Sequence, residues 1–155
     1  MQKFRLDDLD RKIIRLLQSD ASLSAAAIGE QIGLSQSPCW RRIQRIKDAG
    51  LVKEQGVVFE RRKLGFDTMV FAHVKLTAHG RSKVAEFSET IRQFPEVMEC
   101  HLLLGQVDFL LRIVTPDLAA YERFFFEKLS QLPDVQEVTS NIVLSEAKHT
   151  TELPI

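Results

Sequence analysis

The chain has 155 residues, with 21 basic and 21 acidic side chains, and 45% of its residues are hydrophobic. This length allows one domain or two small ones. No apolar run approaches the ~20 residues needed to cross a bilayer, and the N-terminus lacks a signal-peptide pattern, so we expect a cytoplasmic protein with no membrane partner.

The charges are distributed unevenly along the chain. Residues 1–64 contain 13 Lys and Arg against 8 Asp and Glu, a net charge of +5, and residues 65–155 carry the opposite net charge of −5. The neutrality of the whole chain is therefore the sum of two oppositely charged halves. This asymmetry favours a segment that faces a nucleic acid, joined to one that does not. An acidic half that is simply a solvated surface would give the same count.

Three helices are predicted in the first 50 residues. An amphipathic helix runs from about Asp7 to Gln18, and a second helix, Ala25 to Gln31, is capped by Ser24. Gly33 supplies the turn that follows, because glycine accepts the positive φ that such a turn often needs. A third, basic helix comes next and ends at Gly50. This order of elements is that of a helix-turn-helix domain.

The third helix is the most informative part of the sequence. Ser35 can cap its start through the hydroxyl, and Pro38 falls in the first turn, where a missing N–H costs nothing. A helix with an exposed polar first turn and an exposed arginine face is suited to enter the DNA major groove. The predicted DNA-binding residues are Ser35, Gln36, Ser37, Pro38, Trp40, Arg41, Arg42 and Arg45.

Two of these assignments have competing interpretations. Many small helical domains carry arginines on a solvated face, but here the glycine turn, the capped start and the arginine cluster coincide, which favours DNA. Trp40 can stack on a sugar or base, whereas a tryptophan in a helix more often belongs to the core.

The second half of the chain contains a weak internal repeat. The predicted elements are a strand at Gly65–Thr77, a helix at Gly80–Gln93, a strand from Phe94–Val97 to Leu104, a strand at Phe109–Thr115, a helix opened by Pro116–Asp117, and a last strand up to about Lys148. Strand-helix-strand, twice over, is the ferredoxin-like βαββαβ plan. The expected fold is therefore α+β, with an N-terminal (winged) helix-turn-helix domain and a C-terminal ferredoxin-like domain.

The expected boundaries are 1–52 for the helix-turn-helix domain, 53–64 for an extended linker that adds a short strand or wing, and 65–155 for the ferredoxin-like domain. A sheet covered by helices on one face leaves its other face open. The strands are rich in Phe, Leu, Ile and Val, with His73, Lys75 and Arg112 as the main polar interruptions, and we expect the open face to be covered by a second copy of the chain. A two-fold pair of recognition helices would read a palindromic site.

Several motifs occur in the order found in one known family. They are Leu9–Ile14, Gly33–Ser35, Pro38–Cys39, Gly50–Val52, Val97–His101, Gly105–Leu111 and Leu132–Val135. On these motifs the chain resembles the leucine-responsive regulatory protein/AsnC family of transcriptional regulators over nearly its whole length. The resemblance implies a sequence-specific regulator that binds double-stranded DNA and forms homodimers and higher even oligomers such as octamers, with no cofactor.

The resemblance also implies a free amino acid as effector, bound by the C-terminal domain where dimers meet, at the Gly-x-x-Asp turn from Gly105 to Asp108. Turn amides can hold an α-carboxylate, and Asp108 can pair with an α-ammonium. An ordinary hairpin turn favours the same residue types. The predicted effector-binding residues are His101, Leu102, Leu104, Gly105, Gln106, Val107, Asp108, Val138, Thr139 and Ser140.

Other chemistries find little support in the sequence. The four histidines lack the short paired spacing of zinc ligands, and no phosphate loop or GxSxG motif is present, so we predict neither a metal site nor catalytic residues. The alternative function is a tetrapyrrole (siroheme-type) decarboxylase, because such enzymes resemble the same two-domain plan. The intact basic helix argues against it. Cys39 and Cys100 are expected to be reduced, buried thiols.

Overall fold

The computed structural model describes residues 5–53 and 57–155, which fall into two compact units. The first unit extends to Val58 and also contains Lys148–Ile155, whereas the second spans Phe59–Ala147. The last eight residues were expected in the domain 65–155. They belong with the first unit because residues among them hydrogen-bond to its first helix. Within the described ranges, no helix is long and apolar enough to cross a membrane.

The first unit has the predicted three helices: α1 (Asp8–Ser19), α2 (Ala25–Ile32) and α3 (Gln36–Asp48). Apolar residues at helical spacing meet in one core, because each helix turns its apolar stripe inward. The fully or almost fully buried members are Ile13, Ile28, Cys39, Ile43 and Ile46. The Ser24 hydroxyl accepts a hydrogen bond from the Ala27 amide, and Gly33 adopts a left-handed φ of 74° between α2 and α3, as predicted.

Ser35 occupies the N-cap position of α3, but its hydroxyl makes no capping hydrogen bond. A capping side chain accepts from the amide two or three residues further on. Three residues further on is Pro38, which has no N–H, so one of the two possible donors is missing. The prediction of the helix start is confirmed, whereas the predicted role of the Ser35 hydroxyl is wrong.

The linker differs from the expected extended segment. Residues 51–53 and 57–60 carry neither helix nor strand, so they form no wing, and Arg61–Leu64 forms a 3₁₀ turn. The Glu60 side chain caps this turn by accepting a hydrogen bond from the Arg62 amide. Gly65 ends it with a left-handed φ of 83°. The remaining linker residues, 54–56, lie outside the described part of the chain.

The second unit has the predicted βαββαβ order, and the fold class is confirmed. Its elements are β1 (Thr68–Leu76), α4 (Val84–Arg92), β2 (Val97–Leu102), β3 (Phe109–Thr115), α5 (Leu118–Glu127) and β4 (Val135–Ile142). The strands form one antiparallel sheet in the order β2-β3-β1-β4. β4 ends at Ile142 rather than near Lys148, because Ile142 already pairs with Val70, close to the start of β1.

One face of the sheet is the core of this unit. Side chains from alternate positions of β1 and β3 pack against α4 and α5, as the period of two along a strand requires. The buried contributors from the strands are Val70, Ala72, Val74, Leu76, Phe109, Leu111 and Ile113. Phe87 and Ile91 from α4 and Tyr121 and Phe124 from α5 cover them.

The other face of the sheet, which we call the open face, is more polar than expected. By alternation and strand register it carries Met69, Phe71, His73, Lys75, Glu99, His101, Leu110, Arg112, Val114, Glu137, Thr139 and Asn141. Glu99 receives hydrogen bonds from Arg112 and His101, and these contacts hold the pKa of its carboxyl below the ordinary value. His73 lies 3.2 Å from the Asn141 amide nitrogen. Charged and neutral polar side chains thus pair across neighbouring strands on this face.

Candidate nucleic-acid interface and effector site

The exposed side of α3 presents the polar first turn that the sequence predicted. Gln36, Ser37 and Arg41 are exposed, and Trp40 is 54% exposed. The interpretation of Trp40 as a core residue is therefore wrong, because Cys39 and Ile43 fill the buried side of the helix instead. Of the other predicted residues in the first turn, Ser35 is exposed and Pro38 is half-buried.

Arg42 and Arg45 turn toward α1 and pair with acidic side chains. Arg42 Nη1 lies 2.6 Å from Asp7 Oδ2 and 2.8 Å from Asp10 Oδ1, and Arg45 Nη2 lies 2.5 Å from Asp10 Oδ2. The Asp10 side chain is completely buried, whereas those of Arg42 and Arg45 are 27% and 50% exposed. Two of the three predicted DNA-contacting arginines thus have partners inside the protein.

The two carboxylates are themselves fixed by the start of α1. Asp7 is the N-cap residue, and Asp7 and Asp10 each accept a hydrogen bond from the other's main-chain amide, at 2.8 and 3.1 Å. The Asp10 amide and the Arg42 guanidinium lower the pKa of Asp7 to about 2. The Asp7 carboxylate is therefore charged at neutral pH.

Sequence reasoning missed this ion-pair cluster, although a signal for it was present. Asp10 lies three and seven positions before Ile13 and Leu17, which places it on the apolar stripe of α1. A carboxylate on a buried stripe needs a cation, because an unpaired buried charge is very costly. The arginines of α3 are the nearest candidates on a neighbouring helix.

The proposed effector turn is closed by hydrogen bonds that use Asp108. Its carboxylate accepts from the Leu76 amide at 2.7 Å and lies 3.4 Å from Arg81 Nε. Its main-chain amide donates to Val74, and its carbonyl oxygen accepts from Leu103. Asp108 thus ties the β2–β3 turn to the end of β1, and its carboxylate has partners before any ligand binds.

The other residues near this turn are largely open. Leu102, Leu104, Gly105, Gln106 and His101 are exposed, and Val107 is half-buried. A Cβ added at Gly105 would have no heavy atom within 4 Å, and its φ does not fall in the left-handed region. The backbone therefore does not require glycine at this position.

The sheet order separates the two groups of predicted effector residues. His101 pairs with Leu110, Leu110 with His73, and His73 with Thr139, so His101 and Thr139 lie at opposite edges of the sheet. Three strand spacings put them about 14 Å apart. Val138 packs against the core, and the Ser140 hydroxyl contacts the Tyr121 hydroxyl at 2.5 Å. Two strands, β3 and β1, thus lie between His101 and Thr139 within one copy of the chain.

Comparisons with known proteins match both units to domains of the same family. Residues 6–47 match the AsnC-type helix-turn-helix domain, and residues 69–153 match the Lrp/AsnC ligand binding domain. The chain is 37% identical to the transcriptional regulator AzlB of Bacillus subtilis over 97% of this chain and 96% of AzlB.

The solved structures that are similar to this chain include two transcriptional regulators. One is an AsnC family transcriptional regulator from Agrobacterium tumefaciens, with 38% identity and a TM-score of 0.89 over 96% of this chain and 97% of that one. The other is a transcriptional regulator of Neisseria meningitidis in complex with L-methionine, with 33% identity and a TM-score of 0.92 over 97% of both chains.

Proposed function

The chain belongs to the Lrp/AsnC family of transcriptional regulators, and on that premise we propose that α3 reads its operator and that an amino acid at the β2–β3 turn modulates the binding. The family consists of DNA-binding, oligomeric regulators and not of enzymes, so the alternative of a tetrapyrrole decarboxylase is dropped. The observation that carries the proposal is the exposure of Gln36, Ser37, Trp40 and Arg41 on one side of α3.

The exposed residues of α3 offer two kinds of contact to DNA. Gln36 and Ser37 offer neutral hydrogen-bonding groups in the first turn, which is the part of a recognition helix that reaches base edges. Arg41 offers a guanidinium for a guanine edge or a phosphate, and Trp40 offers an apolar surface for a sugar or a thymine methyl group. Arg45 is half exposed and also lies close enough to the surface to approach a phosphate while it is held by Asp10.

The effector site combines the open turn with a second subunit. Turn amides at Gly105, Gln106 and Val107 would receive the α-carboxylate, and Leu102 and Leu104 would contact an apolar side chain. Since Asp108 is already bound to Leu76, we assign it to holding the turn rather than to pairing with the ammonium group. We assign Thr139 and its neighbours in β4 to the site as residues supplied by another copy of the chain.

Support for an amino acid as ligand comes from two observations. Residues 69–153 match the ligand-binding domain of the family, and the similar Neisseria protein was solved with L-methionine. Apolar amino acids such as methionine and leucine suit the exposed leucines beside the turn.

The proposal is tested by selecting DNA with the purified protein from a pool of randomised duplexes. We expect enrichment of a palindromic sequence, since a symmetric oligomer presents two copies of α3. The affinity for the selected duplex is then measured at fixed salt with each common amino acid in turn. A shift with one of them identifies the effector, and loss of that shift in Gly105→Val, with unchanged DNA affinity in its absence, supports the turn as its site. If no sequence is enriched, the assignment of α3 is wrong.

A further inference from the structure

The cluster of Asp7, Asp10, Arg42 and Arg45 contains as many carboxylates as guanidinium groups, and it joins the start of α1 to the middle of α3. We propose that Asp10, assisted by Asp7, is a positioning residue of the recognition helix, which holds Arg42 away from DNA and leaves Arg41 as the main cationic contact. This inference rests on the proposed function of α3.

Burial is the first argument. The Asp10 carboxylate is 0% exposed, so its charge is compensated only by protein groups, and Arg42 and Arg45 supply the compensation. Arg42 also binds Asp7 through the same Nη1 atom. A guanidinium held by two carboxylates would have to give up both of them in order to bind a phosphate. Its charge is therefore largely neutralised as seen by DNA.

The second argument is the contrast with Arg41. Arg41 is exposed, and no hydrogen bond or ion pair joins it to any other residue in the described ranges. Two adjacent arginines on one helix thus have different environments, one paired with α1 and the other in solvent. Arg42 lies three residues after Cys39 and four before Ile46, beside the buried stripe of α3, whereas Arg41 lies on the exposed side.

The geometry also fixes how α3 is presented. Asp10 receives the guanidinium groups of residues three positions apart on α3, so it constrains both the rotation and the position of that helix relative to α1. Removing the carboxylate would take one anionic partner from each of two long cationic side chains at the DNA-facing surface. Less of their charge would then be neutralised within the protein, and phosphates attract such charge in any sequence, so we expect non-specific binding to strengthen and selectivity to fall.

The experiment compares salt dependence in Arg41→Gln and Arg42→Gln. The affinity of each variant for the selected duplex is measured over a range of salt concentrations. The slope of log K against log salt falls by about 0.9 for every phosphate contact that is lost. We expect this loss of slope if Arg41 contacts a phosphate, or a loss of base selectivity if it contacts a guanine edge, and neither change for Arg42→Gln. An equal loss of slope in both variants overturns the inference.

A second comparison uses Asp10→Asn, with Glu30→Gln as the charge-matched control, because Glu30 is exposed on α2. Both variants gain one unit of positive charge. We expect Asp10→Asn to lower the ratio of affinities for the selected and a random duplex by about tenfold, whereas Glu30→Gln strengthens both alike. Thermal unfolding of each variant is recorded in parallel. A lower unfolding temperature with an unchanged ratio would show a purely structural role and overturn the inference.

If Asp10→Asn does not fold, Asp7→Asn replaces it, since Asp7 is half exposed and pairs with Arg42. The salt slope of Arg42→Gln also remains decisive in that case. Failure of this inference is distinct from failure of the proposed function. A wild-type protein that selects no sequence contradicts the proposed function, whereas a selective protein whose Arg42 contacts phosphate contradicts only the inference.

Discussion

Gln18 on α1 and Leu153 near the end of the chain bind each other through two hydrogen bonds, one in each direction. The Leu153 amide donates to Gln18 Oε1 at 2.8 Å, and Gln18 Nε2 donates to the Leu153 carbonyl oxygen at 3.2 Å. Arg15, one turn earlier, donates from Nε to the main-chain oxygen of Ile155. The side-chain amide of Gln18 thus binds both main-chain groups of Leu153, as a neighbouring strand would, and fixes the C-terminal segment on α1.

Replacement of Gln18 by alanine should free the C-terminal segment. Both hydrogen bonds are lost, each worth about 0.5–1.5 kcal/mol and nearer the lower figure at an exposed site. We expect faster amide hydrogen exchange in residues 148–155, with little change in the global unfolding temperature. Gln31→Ala on α2 is the control, because Gln31 is exposed. Unchanged exchange in Gln18→Ala would contradict the docking.

Acid should destabilise the first unit partly through Asp7. Its pKa is about 2 in the folded protein and 3.8 ordinarily, so the unfolded state binds more protons at intermediate pH. The stabilisation by Asp7 is therefore fully present above about pH 4 and is lost as the pH falls toward 2.

Thermal unfolding of wild type and Asp7→Asn between pH 5 and pH 2 tests this expectation. The variant should have a lower unfolding temperature at pH 5 and a smaller decrease toward pH 2, because it lacks the titrating carboxyl. Asp8→Asn is the matched control, since Asp8 is adjacent and exposed. Parallel pH profiles for wild type and Asp7→Asn would refute the assignment.

Trp40→Ala should weaken DNA binding more than it weakens the fold. The side chain is 54% exposed and lies on the proposed reading side of α3, so a lost base or sugar contact should cost about 1 kcal/mol or more of binding. Phe126→Ala is the control for removing an exposed aromatic ring, since Phe126 is 65% exposed on α5. Filter binding or fluorescence anisotropy at one salt concentration measures the DNA affinities of wild type and the two variants. Equal DNA affinities of wild type and Trp40→Ala would exclude the contact.

Gly80→Ala and Gly105→Ala should differ sharply in stability. A Cβ at Gly80 would lie 2.5 Å from the Asp134 Cβ and 3.0 Å from its main-chain oxygen, whereas one at Gly105 would meet nothing within 4 Å. We expect Gly80→Ala to lose about 1–3 kcal/mol, as overpacked positions do, and Gly105→Ala to stay close to wild type. Denaturant unfolding of the two variants checks the contrast, and equal midpoints would show that the backbone at Gly80 can move aside.

Most of the fold could be predicted because its signals are local. Ser24 and Gly33 mark the ends of α2 through capping and a left-handed turn, and both act within a few residues. The alternating pattern of β1 and β3 gives their buried faces directly. The 3₁₀ turn at Arg61–Leu64 was missed because residues 53–64 were interpreted as an extended linker, although the Glu60 side chain caps a turn there.

The site was predicted less well because it depends on contacts between distant residues. The partners of Arg42 are set by the packing of α1 against α3, which brings together residues more than 30 positions apart in the chain. The separation of His101 from Thr139 could have been derived, since the βαββαβ plan puts β2 and β4 at opposite edges. The partners of Asp108 could not be derived from the sequence, because Leu76 and Arg81 are far from it along the chain.

The membership of Lys148–Ile155 in the first unit means that the chain crosses between the units twice, near Val58 and again near Ala147. Val57, Val58 and Phe59 are strongly exposed and offer a protease a site that suits enzymes cleaving after large apolar residues. After a single cut there, the helical domain would still contact the other fragment through Gln18 and Arg15, which bind Leu153 and Ile155. The rate at which the two fragments separate after nicking would therefore report the strength of this contact.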